Sequence, residues 1–355
     1  MTKTLLFVIV FILSVLMITS CATLQPTPEP TPVPQPEPKP AIQPTIEPLP
    51  RIETPVREFS DFIAVIAQLG DSFSSLASKY LKDPSLDWFI SEFNGITSLK
   101  PGQELIIPLH PHGKGGLTLK SYQTVPVISY HKFSEDKSDT LTVKKSAFEE
   151  QMKFLKESGY RVISMDELFD FLDFKRPLPK KSVVITIDDG WVSAYEIAYP
   201  ILKKYGYPAT LFVYTDLILP GRNFLSWDLL AEMSKNGIDI QCHTKSHRNL
   251  DRRNNQESFR EYFENVKKEL TESAELIRKR LNKPVKYFAY PYGDTNSLVI
   301  AQLVKLGYRG AFTVERGSNP FFVHPYRINR SMIFGTFSLR DFEKNLAYLN
   351  DKELR

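Results

Sequence analysis

The strongest constraint on the fold is a repeated alternation of strand-like and helix-like segments from residue 125 onwards. Seven short apolar stretches, rich in valine, isoleucine and aromatic residues, are separated by segments with the periodicity of amphipathic helices. Strands that alternate with helices pair in parallel, and this many of them curl into a barrel. The sequence therefore predicts an α/β fold over residues 125–350, a parallel sheet curled into a barrel. The predicted strands are 125–130, 160–163, 182–187, 209–214, 238–242, 287–290 and 308–314.

Three capping boxes predict where helices begin in this region. A serine is followed three residues later by an acidic residue at positions 146–149, 164–167 and 338–341. In such a pair each side chain accepts a hydrogen bond from the backbone N–H of the other residue, which favours a helix start.

The first 21 residues have the pattern of an export signal. Lys3 precedes a short apolar stretch, and Thr19 and Ser20 lie directly before Cys21. The stretch is short for a membrane-spanning helix. The ending Ile-Thr-Ser-Cys resembles the bacterial lipobox, which implies a lipoprotein-type signal peptide over residues 1–21 and acylation of Cys21. An uncleaved N-terminal anchor is the alternative. The lipobox reading predicts an extracytoplasmic, membrane-anchored lipoprotein of the bacterial cell envelope.

Residues 22–57 form a predicted proline-rich linker. The chain has 26 prolines, and 12 of them fall between Pro26 and Pro55. Proline fixes φ and lacks a backbone donor, so the linker is predicted to be disordered, without helix or sheet, and to act as a semi-rigid polyproline II spacer. At about 3.1 Å per residue, the segment from Pro26 to Pro55 could extend on the order of 90 Å.

A small second unit is predicted at residues 58–110, followed by a short linker at 111–124. Asp71 or Ser72 can cap a first helix, and Asn94-Gly95 ends a second one before a final strand. This βααβ order, with the segments GDSFSSLASKY, FNG and LKPGQELIIP, resembles the LysM module. The resemblance implies binding to a polymer that contains N-acetylglucosamine, such as peptidoglycan or chitin. A small packing domain that binds nothing is the alternative.

Charge and cysteine content argue against a nucleic-acid-binding protein and against a fold that rests on disulfides. The 45 basic and 41 acidic residues give a net charge of +4, which requires no nucleic acid as partner. Two cysteines cannot form a disulfide framework, and acylation of Cys21 would leave Cys242 unpaired. Because alternate residues of a strand face opposite sides, Cys242 is predicted to face away from His243, in the core.

Polar residues follow two of the predicted strands directly. Asp188 and Asp189 end the apolar run of residues 182–187, which is costly unless a cation or a proton neutralises one carboxylate. A simple Asp-Gly turn is the alternative. His243 ends another strand and His247 follows four residues later, so a helical turn there would direct both imidazoles at one point. One aspartate and two histidines can hold a divalent metal with positions left open, as a hydrolase requires.

Two further strands end in candidate site residues. Residues 288–293 read Phe-Ala-Tyr-Pro-Tyr-Gly, a strand that ends in a turn whose backbone N–H could face the site. His131 closes the strand at 125–130. In parallel barrels the carboxyl ends of the strands meet at one rim, so both are predicted to lie beside the aspartates and histidines.

The segments TIDDG, HTKSH and FAYPYG, in this order, resemble the successive motifs of the polysaccharide deacetylases, carbohydrate esterase family four, which have the NodB-homology fold. The resemblance covers residues 125 to about 345. It implies a metal-dependent N- or O-deacetylase on a distorted (β/α) barrel, with zinc as the expected metal.

The resemblance also implies roles for individual residues. Asp188 would be the general base, and Asp189, His243 and His247 the metal ligands. The metal would polarise the acetyl carbonyl and acidify water, and the backbone N–H of Tyr292 would help to hold the oxyanion.

Two departures from the family pattern bear on the remaining roles. Many members have arginine where this chain has Ala289, and many carry an acid histidine in a late Leu-x-His motif that is absent here. The early strand that ends in His131 is similar to the branch that deacetylates exported poly-N-acetylglucosamine, which implies that His131 is the general acid, with His324 as the competing candidate. Arg330 is the candidate to orient Asp188 in place of the missing arginine, and a surface arginine at a strand end is the alternative.

These expectations combine into one hypothesis for function. The chain is predicted to remove acetyl groups from N-acetylglucosamine residues of a cell-envelope glycan, peptidoglycan or poly-N-acetylglucosamine, while a lipid on Cys21 holds it to the membrane. A non-catalytic peptidoglycan-binding lipoprotein with a degenerate barrel, and an O-acetyl esterase acting on another polysaccharide, are the two alternatives.

Overall fold

The computed structural model describes residues 57–109, 116–117, 121–218 and 223–350. The predicted signal segment with Cys21, and the proline-rich linker up to residue 56, lie outside these residues. Within the described ranges, no helix combines the length and the apolar character needed to cross a bilayer.

The N-terminal unit is a three-stranded antiparallel sheet covered by short helices. Ser72 caps the first helix as predicted, and Gly95 ends the second in the left-handed conformation. The side-chain amide of Asn94 bonds the backbone of both Ile90 and Ile106, so it ties this second helix to the last strand. The elements are β1 (Arg57–Glu58), β2 (Phe62–Ile66), α1 (Phe73–Leu76), a π-helical turn (Ala77–Leu81), a 3-10 turn (Pro84–Leu86), α2 (Asp87–Asn94) and β3 (Glu104–Pro108).

The larger unit is a curled sheet surrounded by helices. Its strands pair in the order β12-β11-β10-β9-β8-β4-β13, and all neighbours except the antiparallel β13 are parallel. The strands are β4 (Tyr122–Tyr130), β7 (Arg161–Val162), β8 (Ser182–Asp189), β9 (Ala209–Val213), β10 (Ile238–Cys242), β11 (Tyr287–Ala289), β12 (Gly310–Phe312), β13 (Ser318–Pro320), β14 (Ser331–Met332) and β15 (Leu349–Asn350), with β5 (Lys132–Ser134) and β6 (Thr142–Lys144) in a separate pair.

One late segment closes this sheet. Ile328 pairs with Phe312 of β12, and β14, three residues further on, pairs with β4. Residues 328–332 thus bridge the two ends of the parallel sheet, and the result is the distorted (β/α) barrel predicted from the sequence. The first strand starts at Tyr122, slightly before the predicted boundary at 125.

Two of the three predicted capping boxes are observed. Ser164 and Ser338 cap the helices that start at Met165 and Leu339, whereas the box predicted at Ser146 is wrong, because β6 continues directly into a helix that starts at Lys145. An unpredicted box at Ser258 starts a helix of 23 residues. The helices are α3 (Lys145–Glu157), α4 (Met165–Leu172), α5 (Tyr199–Tyr205), α6 (Trp227–Lys235), α7 (Phe259–Leu281), α8 (Ser297–Lys305) and α9 (Leu339–Glu343).

Strand alternation separates the core into two layers. One set of strand side chains packs against the helices, and it includes Ile128, Ile185 and Cys242. The other set fills the barrel interior, which is lined by Val125, Val127, Val184, Phe212, Tyr287, Ala289, Phe312 and Ile328. Residues that continue the interior set past the strand ends are therefore directed into the mouth of the barrel.

The N-terminal unit packs against the amino ends of β7 and β8. Asp87 accepts a hydrogen bond from Arg161 at 2.9 Å, and Glu92 accepts one from the backbone N–H of Lys180 at 3.0 Å. Burial at this contact raises the pKa of Glu92 above its usual value. The contact thus lies on the face of the barrel opposite the carboxyl ends of its strands.

Candidate active site

The candidate residues lie together at the carboxyl ends of the parallel strands. Asp188 and Asp189 end β8, His243 follows β10 and His131 follows β4. Asp188 continues the interior register of Val184. The predicted meeting of these residues at one rim is observed.

Asp189, His243 and His247 form a compact cluster. The Oδ1 atom of Asp189 lies 3.6 Å from Nε2 of His243 and 3.4 Å from Nε2 of His247. Each residue offers one ligand atom, and these atoms all lie within 4.8 Å of one another. The spacing fits a single metal ion shared by the three side chains.

The hydrogen bonds around the cluster also fit a cation. Nδ1 of His243 lies 2.7 Å from the carbonyl oxygen of Ala289, which can only accept, so Nδ1 carries the proton and Nε2 presents a lone pair. Oδ1 of Asp189 is buried without a hydrogen-bond partner, and the indole N–H of Trp191 donates to its Oδ2 at 3.0 Å. A divalent metal would satisfy the buried oxygen and the imidazole nitrogen together.

The charge states match this arrangement. Burial lowers the pKa of His243 to about 4, although Asp188 and Asp189 act in the opposite direction. Burial alone would raise the pKa of Asp189, but its interactions with His247, His243 and His131 lower it below its usual value. At neutral pH His243 therefore offers a neutral imidazole and Asp189 a charged carboxylate, the forms that bind metal.

Asp188 is paired with a buried arginine. Nη1 of Arg330 donates to its Oδ1 at 2.7 Å, and both side chains are buried. Burial would raise the pKa of Asp188, whereas the charge of Arg330, followed by those of His243 and His131, lowers it. A second bond, from Nε to the carbonyl oxygen of Thr313 at 2.9 Å, fixes the guanidinium. Arg330 is thus a partner of Asp188, and the alternative of a surface arginine is wrong.

The two candidate acid histidines lie in different places. His131 is half-buried at the rim, close enough to Asp188 and Asp189 to lower the pKa of both. His324 is exposed, and the next residue, Pro325, pairs through its carbonyl with Ala311 near the start of β12. His324 therefore lies towards the amino end of the barrel, away from the cluster.

The backbone at the rim is strained at four non-glycine residues. Asp189, Thr244, His247 and Tyr292 all have φ between +64° and +78°. The two histidines converge as their spacing allows, but through the left-handed residues of the 243–247 loop and not through a helical turn. The ring of Tyr292 lies 4.9 Å from that of His247, which places the Pro-Tyr-Gly turn beside the cluster.

Several residues at the site were not predicted. Trp191 stacks on Phe224 at 4.2 Å and lies under the ammonium group of Lys132 at 3.6 Å, while Tyr214 packs against His247 at 5.0 Å. The position of Trp191 directly after Asp-Asp-Gly was a usable signal. Phe224 is distant from Trp191 in the sequence, and only the fold brings the two rings together. Cys242 is buried against Ser273, as its register predicted.

Comparison with known proteins identifies the family. A sequence model of the polysaccharide deacetylases matches residues 175–311. YxkH of Bacillus subtilis, assigned to the polysaccharide deacetylases, is 30% identical over 218 residues, which cover 60% of this chain and 74% of that protein. A poly-β-1,6-N-acetyl-D-glucosamine N-deacetylase of Staphylococcus aureus is 33% identical over 193 residues, which cover 51% of this chain and 66% of that protein.

A solved structure agrees with the sequence comparisons. The Streptococcus pyogenes deacetylase PplD, in complex with acetate, superposes with a TM-score of 0.57 at 26% identity, over 63% of this chain and 98% of that one. Because the Bacillus protein is matched over 74% of its length, and the family model falls within the same barrel, this chain belongs to the polysaccharide deacetylase family.

Proposed function

We propose that this chain is a metal-dependent hydrolase that removes acetyl groups from N-acetylglucosamine residues of a cell-envelope glycan. The observation that carries the proposal is the juxtaposition of two sites: the Asp189, His243 and His247 cluster, and the adjacent Asp188 held by Arg330. The Staphylococcus relative, named for its action on poly-β-1,6-N-acetyl-D-glucosamine, supports this class of substrate.

Asp188 is proposed as the general base. It is buried, yet its pKa lies below the usual value because Arg330 stabilises the carboxylate. The Asp188 carboxylate is therefore ionised at neutral pH and can accept a proton from water. Arg330 also holds Oδ1 in one direction, so Oδ2 is the oxygen left to meet the water.

Asp189, His243 and His247 would hold the metal, which we propose is zinc. When bound, the metal supplies a Lewis acid that polarises a carbonyl group and lowers the pKa of water. Trp191 and the carbonyl of Ala289 orient two of these three ligands through hydrogen bonds of 3.0 and 2.7 Å.

His131 and Tyr292 are proposed to complete the reaction. As water adds to the acetyl carbon, its proton passes to Asp188, and the backbone N–H of Tyr292 donates to the developing oxyanion. His131 then protonates the amide nitrogen as the C–N bond breaks, and the products are acetate and a free amine. The position of His131 at the rim, with His324 remote, supports this assignment.

A location in the cell envelope is proposed from the N-terminal features. We propose that residues 58–110 act as a LysM module that binds the glycan, and that acylation of Cys21 anchors the protein to a membrane. The capped helices and the Asn94 bonds of the small unit are compatible with such a module. The proposed anchor rests on the segment Ile-Thr-Ser-Cys that ends at Cys21.

The decisive experiment measures acetate release from two polymers. Zinc-loaded protein is incubated with β-1,6-linked poly-N-acetylglucosamine and with peptidoglycan, and loss of acetyl groups is followed by mass spectrometry. Asp188→Asn should abolish release while zinc stays bound, whereas His243→Ala should lose zinc. Zinc loss from Asp188→Asn equal to that from His243→Ala would refute the base assignment. Release only from O-acetylated polysaccharide would favour the esterase instead.

A further inference from the structure

The loop that carries His247 is held in an unfavourable conformation. Thr244 has φ of +72° and His247 has φ of +64°. A left-handed residue other than glycine costs about 1–2 kcal/mol, and a β-branched residue such as threonine is a clear outlier there. The hydroxyl of Thr244 accepts a hydrogen bond from the backbone N–H of His247 at 2.9 Å, which offsets part of the cost. The loop still needs support from outside to keep this shape.

That support comes from one carboxylate on α7. Oε2 of Glu269 accepts hydrogen bonds from the backbone N–H groups of Lys245 and Ser246, both at 2.9 Å. Its Oε1 accepts a third from the hydroxyl of Ser246 at 2.6 Å. Both oxygens thus bind the two residues between Thr244 and His247. Hydrogen bonds to a charged acceptor are stronger than neutral ones.

Neighbouring contacts fix the same loop at its start. Ser273, one turn after Glu269 on α7, donates to the carbonyl oxygen of Thr244 at 2.9 Å. The backbone N–H groups of Thr215 and Asp216, after β9, donate to the carbonyls of Thr244 and Lys245. These contacts hold the carbonyl groups of the loop, whereas Glu269 accepts hydrogen bonds from its backbone N–H groups at Lys245 and Ser246.

We propose that Glu269 is a positioning residue for the metal ligand His247. It touches neither the metal cluster nor the reacting atoms, and acts by holding the loop so that Nε2 of His247 faces Asp189. The inference rests on the metal role proposed for His247. Residues that orient a metal ligand typically contribute 10–100-fold to metal affinity.

The same helix offers a matched control. Glu272 lies three residues after Glu269, and its carboxylate pairs with the side-chain ammonium of Lys245 at 2.7 Å. It makes an ion pair with the loop on the protein surface, while Glu269 bonds the backbone. Comparing variants of Glu269 with a variant of Glu272 therefore separates the effect of supporting the loop conformation from the effect of surface charge.

The test titrates zinc against a chromophoric chelator in the full chain and its variants. Glu269→Ala should weaken zinc binding about 10–100-fold, and Glu269→Gln less, because the amide oxygen can accept only part of the three bonds. Glu272→Gln should stay within about two-fold. The visible spectrum of the cobalt-substituted protein should change in Glu269→Ala and remain unchanged in Glu272→Gln.

Zinc affinity of Glu269→Ala within about two-fold of the unaltered protein, with an unchanged cobalt spectrum, would overturn the inference. If circular dichroism shows that Glu269→Ala is unfolded, Glu269→Gln decides by the same criterion. An unaltered protein that binds no zinc would refute the proposed metal site itself, so the two failures are distinguishable.

Discussion

Replacing Arg330 by methionine removes the cation next to Asp188 and leaves most of the apolar stem. Arg330 is fully buried and donates to Asp188 at 2.7 Å and to the carbonyl of Thr313 at 2.9 Å. In Arg330→Met the Asp188 carboxylate would remain buried without its principal partner. Both the stability of the fold and the ionisation of the proposed base should change.

The expected loss of stability at neutral pH is large. Removing one partner of a buried ion pair costs about 3–5 kcal/mol, because the remaining charge stays desolvated. A partly exposed pair costs about 0–1 kcal/mol. Arg161→Met is the matched control, since Arg161 pairs with Asp87 at 2.9 Å but both side chains are more than a third exposed. Urea unfolding with metal removed by a chelator measures both losses.

The loss of stability in Arg330→Met should depend on pH, because it follows the ionisation of Asp188. In the unaltered protein the folded pKa of Asp188 lies below its usual value of 3.8, so its contribution to stability is present above that value and is lost as pH falls through the folded pKa. Without Arg330, burial should raise the folded pKa above the unfolded one. The carboxylate then destabilises the fold at high pH, and the penalty is relieved as pH falls. The difference between the two proteins should therefore shrink from pH 7 towards pH 4.

Activity should follow the same change in pKa. The acid limb of the kcat/KM profile reports the free enzyme's base, so it should move to higher pH in Arg330→Met. A loss of stability below about 1 kcal/mol at pH 7, together with an unmoved acid limb, would refute the role of Arg330 in keeping Asp188 charged.

Three further predictions concern other residues. His131→Ala should reduce acetate release from acetylated oligosaccharides by about 100-fold or more, and His324→Ala should leave it nearly unchanged; the reverse ranking would transfer the acid role to His324. Gly293→Ala should destabilise the fold by about 1–3 kcal/mol in thermal unfolding, because Gly293 has φ of +80° and an added Cβ would lie 2.7 Å from the backbone nitrogen of Val314; an unchanged midpoint would contradict this. Cys21→Ser should release the protein from the membrane fraction, and full retention there would exclude acylation as the anchor.

Local sequence patterns predicted the parts of the site that depend on strand register. Asp188 and His243 each follow an apolar strand, and alternation alone places them at the mouth of the barrel and Cys242 behind it. The same reasoning placed His131 on the rim. The parallel order of the strands is enough to bring these residues to one rim, and the alternation of strands and helices predicts that order.

Contacts between distant segments could not be predicted in this way. Arg330 reaches Asp188 because residues 328–332 bridge β12 and β4, and no local pattern marks that closure. The short strand β13 contains Pro320, which argues against a strand in isolation, and it exists because it pairs with β4. The wrong helix start at Ser146 has a similar cause, since β6 imposes the entry of the chain into α3.

The left-handed backbone at Tyr292 has a consequence for engineering this enzyme. Tyr292 is 61% exposed and its φ is +64°, so glycine would remove the conformational strain while little buried surface is lost. Selection for heat resistance alone would therefore tolerate or favour replacement of the very residue whose ring packs on His247. Thr244 and His247 share the left-handed conformation, but Thr244 is fully buried, so glycine there would also remove packing. Libraries of stabilised variants should be screened for metal retention at the outset, because a higher melting temperature at these positions can signal a lost site.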